Sequence, residues 1–290
     1  MRWALIAMLG GCTFSTAIGT GQPMGDTPPI DAPPDVAIDG SPTVDTDGDG
    51  VFDATDNCQL VANANQHDED ADTIGDPCDP CPQLANANTD TDGDKIGDAC
   101  DPHPNATGDV LVRFDPFTGT TLPAGWTIEA GSTGDFVVNN DVIAINGMAN
   151  THVMIFNAGG QKHAIDVGVQ LPNVAGGTTF FTAMTDVKSD LAQYFGCGVR
   201  IDNTSREFFT YDDPDFTTID NDPMPADAPM FPGAYRIVSV LESASQRCTI
   251  PKAQTSHEMT ATASTNNRTN VGVRVGNVTA QVRYVAIYRF

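Results

Sequence analysis

The sequence predicts a mainly β chain: a two-sheet sandwich over roughly residues 108–290, preceded by irregular segments that carry neither helix nor strand periodicity. Three observations predict it. From about Gly108 onward, short apolar runs recur every ten or so residues, separated by Gly, Asn, Asp and Pro. No stretch of the chain shows a long helical pattern. Before Gly108 the chain is dominated by Asp, Pro and Gly, with sixteen acids from Asp45 to Asp101 against a single base, Lys95.

The amino terminus, MRWALIAMLGGC, has one arginine and an apolar run from Trp3 to Leu9. That run is far below the roughly 20 residues that span a bilayer, so it reads as a signal peptide. Leu9-Gly10-Gly11-Cys12 resembles the lipobox of a bacterial lipoprotein. The resemblance implies cleavage before Cys12, leaving residues 1–11 as the signal, and lipidation of Cys12. Thr13 follows the cysteine where aspartate is the retention mark, so the implied location is the outer membrane or cell surface, held by lipid alone; secretion with an ordinary signal is the alternative. Residues 12–44 are rich in Pro, Asp, Gly and Thr without apolar periodicity and cannot bury a core, so they form a disordered tether. Extended at about 3.1 Å per residue, such a tether reaches roughly 100 Å.

Residues 45–101 contain three cassettes: DTDGDGVFDATD from Asp45, DEDADTIGDPCD from Asp68 and DTDGDKIGDACD from Asp90. Aspartate occupies positions 1, 3, 5, 9 and 12 in every copy, namely Asp45, Asp47, Asp49, Asp53 and Asp56; Asp68, Asp70, Asp72, Asp76 and Asp79; Asp90, Asp92, Asp94, Asp98 and Asp101. Regular spacing of that kind is a repeat and argues against a merely solvated acidic tail. Clustered hard oxygens suit calcium, which takes six to eight of them. In the same frame as an EF-hand loop, position 7 offers a backbone carbonyl, here Val51, Ile74 and Ile96. Gly50 is the turn glycine at position 6 of the first loop, whereas Thr73 and Lys95 stand there in the others. Those two loops are therefore expected to bend elsewhere, at Gly75 and Gly97 of position 8.

Flanking helices of an EF-hand are absent, and cysteines punctuate the loops instead. Asp56-Asn57-Cys58, the spacer Asn63-Ala64-Asn65-Gln66, and Gly75-Asp76-Pro77-Cys78-Asp79 resemble thrombospondin type 3 repeats over residues 45–104. The resemblance implies loops wrapped around calcium with almost no regular secondary structure, Cys58 bridged to Cys78 and Cys81 to Cys100, and Asn63 and Asn86 as extra donors. Ala64 and Ala87 replace the usual proline of the spacer, and Thr89 a glutamine. A zinc site competes for Cys78-Asp79-Pro80-Cys81, but one C-x-x-C without a second is a weak signal. The formal charge of -24 excludes nucleic acid as a partner, because phosphate binding needs basic surface. Seven cysteines become six if Cys12 carries lipid, leaving Cys197 and Cys248 to pair within the carboxy-terminal domain.

Candidate strands of that domain cover 110–114, 135–138, 142–145, 152–156, 163–171, 178–185, 194–201, 208–211, 235–241, 247–250, 258–262, 271–275 and 282–288. In HAIDVGVQL, Ala164, Asp166, Gly168 and Gln170 fall on one face, and Ile165, Val167, Val169 and Leu171 on the other. FDPFTGTTLPAGWTI and the closing NVGVRVGNVTAQVRYVAIYRF resemble the concanavalin A-like (laminin G-like) jelly roll. Glycoside hydrolases of that fold carry E-x-D-x-E, and here Glu129, Glu207, Glu242 and Glu258 do not form it. His152, His163 and His257 are scattered singly, and no other catalytic motif occurs. Residues 208–223, with Asp212, Asp213 and Asp215 among Phe208 and Tyr211, read as an acidic surface loop suited either to a sugar and calcium or to nothing specific. The expected function is non-enzymatic: a calcium-binding surface lipoprotein whose repeats act as a spacer and whose sandwich serves adhesion to a glycan or surface protein. A carbohydrate-active enzyme and a purely structural envelope protein are the alternatives.

Overall fold

Alternation in HAIDVGVQL places β6 (His163–Leu171) at the centre of one sheet, with Ile165, Val167, Val169 and Leu171 in the main core and Ala164 on the opposite face. The computed structural model describes residues 43–139, 141–148, 150–171, 178–201, 206–212, 217–223, 233–242, 245–250, 257–262 and 268–290. Cys12, the segment 13–42 expected to be a tether, Asp213 and Asp215 lie outside the described residues. Repeats and sandwich together, Pro42–Phe290, make one unit.

The described residues hold fifteen strands: β1 (Val110–Asp115), β2 (Trp126–Ala130), β3 (Phe136–Val138), β4 (Ile143–Asn146), β5 (Thr151–Asn157), β6, β7 (Thr179–Val187), β8 (Phe195–Ile201), β9 (Arg206–Asp212), β10 (Thr217–Pro223), β11 (Gly233–Leu241), β12 (Ser245–Ile250), β13 (His257–Thr262), β14 (Asn270–Gly276) and β15 (Thr279–Arg289). Sheet A runs β13-β12-β11-β6-β15-β4-β3, with β1 also pairing β15, and sheet B runs β10-β9-β8-β7-β14-β5-β2. Two antiparallel sheets thus form a sandwich. Its core joins Ile143, Ile165, Ile237 and Ile287 of sheet A to Met154, Phe181, Val271 and Val273 of sheet B, all at most 1% exposed. Each such side chain contributes about 1.5–3 kcal/mol on leaving water. Cys197 of β8 is bonded to Cys248 of β12, which ties the two sheets together.

Two strands escaped the sequence pattern. β2 is a five-residue edge strand held by Trp126, whose indole Nε1 donates to Asp115 Oδ2 at 2.6 Å. β10, TTIDNDP, is too acidic to read as a strand, yet it pairs β9 from Thr217↔Asp212 to Pro223↔Glu207. The stretch expected as an acidic loop is therefore largely two paired strands, β9 and β10, at one edge of sheet B.

The repeats do not stand clear of the sandwich as a spacer would. Cys81, Ile96 and Cys100, with Leu84 and Ala87 beside them, pack on Ala164, Val240, Ala286 and Tyr288 of sheet A. Around this small apolar seam, Arg283 Nη2 meets Glu69 Oε1 at 2.7 Å, Arg247 Nη2 donates to the Pro102 carbonyl at 3.0 Å, and His103 Nε2 meets Glu242 Oε1 at 2.6 Å. Segments with almost no core of their own gain one by docking, and that is the physical reason the spacer reading fails.

Candidate metal centre

Each cassette folds into the same loop. The position 1 carboxylate accepts two backbone N–H bonds: Asp45 from Gly48 and Gly50 at 2.7 and 3.0 Å, Asp68 from Ala71 and Thr73 at 2.8 and 2.9 Å, Asp90 from Gly93 and Lys95 at 2.7 and 3.0 Å. Positions 4 and 6 reach those bonds only by turning left-handed. Gly48, Ala71 and Gly93 have φ of 80°, 63° and 85°, and Gly50, Thr73 and Lys95 have 96°, 82° and 80°. Thr73 and Lys95 thus adopt the glycine conformation, so the second and third loops bend where the first does and not at position 8.

Gly75 and Gly97 have another duty. A Cβ on Gly75 would lie 2.4 Å from Asn57 Oδ1 and 2.7 Å from Cys58 Sγ, and one on Gly97 would lie 2.2 Å from the Ala87 carbonyl oxygen and 2.7 Å from Cys81 Sγ. They admit the preceding repeat. Position 8 of the first loop has no such neighbour and carries Phe52, which is 45% exposed. Because a left-handed non-glycine residue costs roughly 1–2 kcal/mol, Thr73→Gly is expected to stabilise the calcium-loaded protein by about 1 kcal/mol. Denaturant melts in excess calcium check this, and an unchanged or lower midpoint refutes it.

Position 5 clamps each loop to the segment after it. Asp49 Oδ1 accepts from Val51 N and Oδ2 from Asn63 N; Asp72 does so from Ile74 N and Asn86 N, and Asp94 from Ile96 N and Asp109 N. Position 9 is spent differently. Asp53 and Asp98 each accept the N–H and hydroxyl of a threonine, Thr46 and Thr91, while Asp76 accepts from Glu69 N and meets His67 Nδ1 at 2.6 Å. Asp53, Asp76 and Asp98 close the loops from behind and are not gathered with the other carboxylates.

What remains is a set of oxygens with nothing to bind. Oδ2 of Asp47, Asp70 and Asp92 at position 3, and of Asp56, Asp79 and Asp101 at position 12, are buried and accept no hydrogen bond. The other oxygen at position 12 accepts the N–H two residues on, from Cys58, Cys81 or His103. Within each loop, positions 1, 3 and 5 place ligand atoms within 4.8 Å of one another: Asp45, Asp47 and Asp49; Asp68, Asp70 and Asp72; Asp90, Asp92 and Asp94. A buried carboxylate oxygen without partner is costly. Six in matched places, all hard oxygen donors, fit calcium, which when bound supplies the positive charge the loops lack.

Electrostatics agree. Loss of water, with neighbouring carboxylates adding to it, raises Asp70 and Asp79 to about 6 and Asp101 to about 7. Burial opposes charge on His103, but its hydrogen bonds to Glu242 and Asp109 outweigh that and raise its pKa.

A fourth group, Asp94, Asp101 and Asp109, meets where the third loop joins the sandwich. Asp109 is 4% exposed, immediately precedes β1, and is held by His103 Nδ1 at 2.9 Å. It lies outside the cassette frame, so spacing did not find it. The signal available was an aspartate after Gly108 at the entry to an apolar strand. Among the predicted disulfide positions, Cys58 is bonded to Cys78 and Cys81 to Cys100. Of the isolated histidines, His163 is fully buried and donates Nε2–H to the Gly159 carbonyl, with burial lowering its pKa, and His152 meets Asp135 at 3.0 Å.

The model of the thrombospondin type 3 repeat matches residues 43–66 and 89–103, so the chain carries that repeat. No curated protein matches the chain. Among solved structures, a GH43 protein from the xyloglucan locus of Bacteroides ovatus is similar over 61% of this chain and 39% of its own, at 12% identity and a TM-score of 0.48. Carbohydrate-binding module CBM66 from Bacillus subtilis is similar over 57% and 93%, at 17% identity and 0.42. A family 16 glycosyl hydrolase from Mycobacterium smegmatis is similar over 61% and 100%, at 11% identity and 0.44. The chain spans only 39% of the length of the GH43 proteins it resembles.

Proposed function

We propose that this is a calcium-binding, non-enzymatic surface lipoprotein: lipidated at Cys12, ordered by calcium in its repeats, and presenting the sandwich to a glycan or another surface protein. The observation that carries the calcium part is the set of six partnerless, buried carboxylate oxygens at positions 3 and 12 of the three loops. Position 1, 3 and 5 carboxylates supply oxygens, position 12 closes the shell, and the Val51, Ile74 and Ile96 carbonyls complete it. The lipid part rests on Leu9-Gly10-Gly11-Cys12, and the absence of E-x-D-x-E in the sequence favours binding over hydrolysis.

Calorimetric titration of the whole metal-free protein tests the reading. Saturable heat with dissociation constants of about 10⁻⁴ to 10⁻³ M is expected, as in other extracellular calcium modules. No heat would refute calcium binding. The calcium-loaded chain on a glycan array then tests the sandwich. A bound glycan released as hydrolysed product, and no longer released by Glu207→Gln, would overturn the non-enzymatic part.

A further inference from the structure

Beneath the repeats, the outer face of sheet A hides a polar network. Asp166 of β6 is 1% exposed and takes Arg236 Nε at 2.9 Å and Nη2 at 2.7 Å. Tyr284 OH donates to its other oxygen at 3.3 Å. Gly168, one pleat along, leaves room for that ring: a Cβ there would lie 2.3 Å from Tyr284 Cε1. The repeats reach this network with one side chain. Gln83, 7% exposed, donates Nε2–H both to Asp166 Oδ2 and to Tyr288 OH, each at 2.9 Å, while its own Oε1 is buried without a partner.

Gln83 sits in a short turn that the second loop holds at both ends. Asp79 Oδ1 accepts Cys81 N at 2.7 Å, and Asp72 Oδ2 accepts Asn86 N at 2.8 Å. Leu84 N closes the turn on the Cys81 carbonyl at 2.9 Å. Asp72 and Asp79 are positions 5 and 12 of the loop, the same carboxylates that calcium would fix. The half-satisfied amide of Gln83 contributes little by itself, since a buried orphan oxygen offsets its two bonds.

We propose that the turn over residues 82–86, anchored at its start by the Cys81–Cys100 bridge, is a calcium-set plug: with the second loop loaded, Gln83 seals the Asp166–Arg236–Tyr284–Tyr288 network, and with it empty the turn swings from that anchor and water enters. The inference rests on the calcium reading above and adds what that calcium controls. A buried ion pair closed off by a weakly held amide is an element with two states, and two ligand carboxylates bias it. Burial also raises the Tyr284 and Tyr288 hydroxyls above the usual tyrosine range, so sealed rings resist reagents that need phenolate.

Tyrosine nitration by tetranitromethane, localised by mass spectrometry on the whole protein, reads the plug. In saturating calcium, Tyr284 and Tyr288 are expected to react slowly; in chelator, about tenfold faster, while Tyr235 of the inner core keeps its calcium-loaded rate. Asp70→Asn in the second loop is expected to raise the calcium concentration needed for protection by about tenfold, and Asp47→Asn in the first loop to leave it unchanged. Gln83→Ala should open both rings to reagent even in calcium. Equal nitration with and without calcium, Tyr235 rising in step, or equal shifts from the two loop variants would each overturn the proposal. Calcium heat with unchanged nitration would sink the plug and leave calcium binding intact.

Discussion

Stripped of divalent cations, the protein is expected to lose stability as pH rises from about 4 to about 7, and excess calcium is expected to abolish that slope. The carboxyls of Asp70 and Asp79 sit at about 6 and that of Asp101 at about 7, against an ordinary value of 3.8. Folded pKa values above the unfolded ones mean that the folded chain holds extra protons through this window. By linkage their contribution is whole below about 4 and is lost as pH climbs through 6 to 7. Calcium displaces those protons and substitutes its own charge, so each loop loaded at a hundredfold excess over its dissociation constant gains about 2.7 kcal/mol. Thermal melts between pH 4.5 and 7.5, with chelator and with calcium, measure both arms. A melting temperature that climbs with pH in chelator would contradict the assignment of these oxygens.

Replacing Cys197 and Cys248 with alanine is expected to cost about 4 kcal/mol, the loop-closure value for a 51-residue separation. In register beside the bridge lie Ser239 opposite Cys248 and Thr210 opposite Cys197, both fully buried, and Gln246 Nε2 donates to Ser239 Oγ at 3.1 Å. Cys197 and Val199 of β8 share the main core with Cys248 and Ile250 of β12, so the covalent link adds to side-chain burial already present there. Calorimetric melting in calcium should fall by about 8–16 °C. A fall of less than about 2 °C would show that β8 and β12 are held together by something else.

Much of this architecture was legible because two periodicities are strict. Asp at fixed loop positions and alternation in strands such as HAIDVGVQL need no tertiary information. What escaped was decided by three-dimensional neighbours. Thr73 and Lys95 are left-handed because Asp68 and Asp90 collect two N–H bonds apiece, a demand that residue type does not reveal. Asp53, Asp76 and Asp98 look like ligands by spacing, but they turn to residues at position 2 and, for Asp76, to His67, and are not among the carboxylates gathered within 4.8 Å of one another. Asp109 joins Asp94 and Asp101 from outside the frame, and β10 is a strand because β9 offers it an edge.

The docking of the repeats changes how the molecule can be divided. Ala164, Val240, Ala286 and Tyr288 are at most 1% exposed and share an apolar cluster with Cys81, Ile96 and Cys100 of the second and third repeats. A sandwich cut free at residue 108 would turn an oily strip and a naked salt bridge towards solvent, and would be prone to self-association. The change in amino-acid usage near residue 104 is thus a seam in composition and not a place to cut.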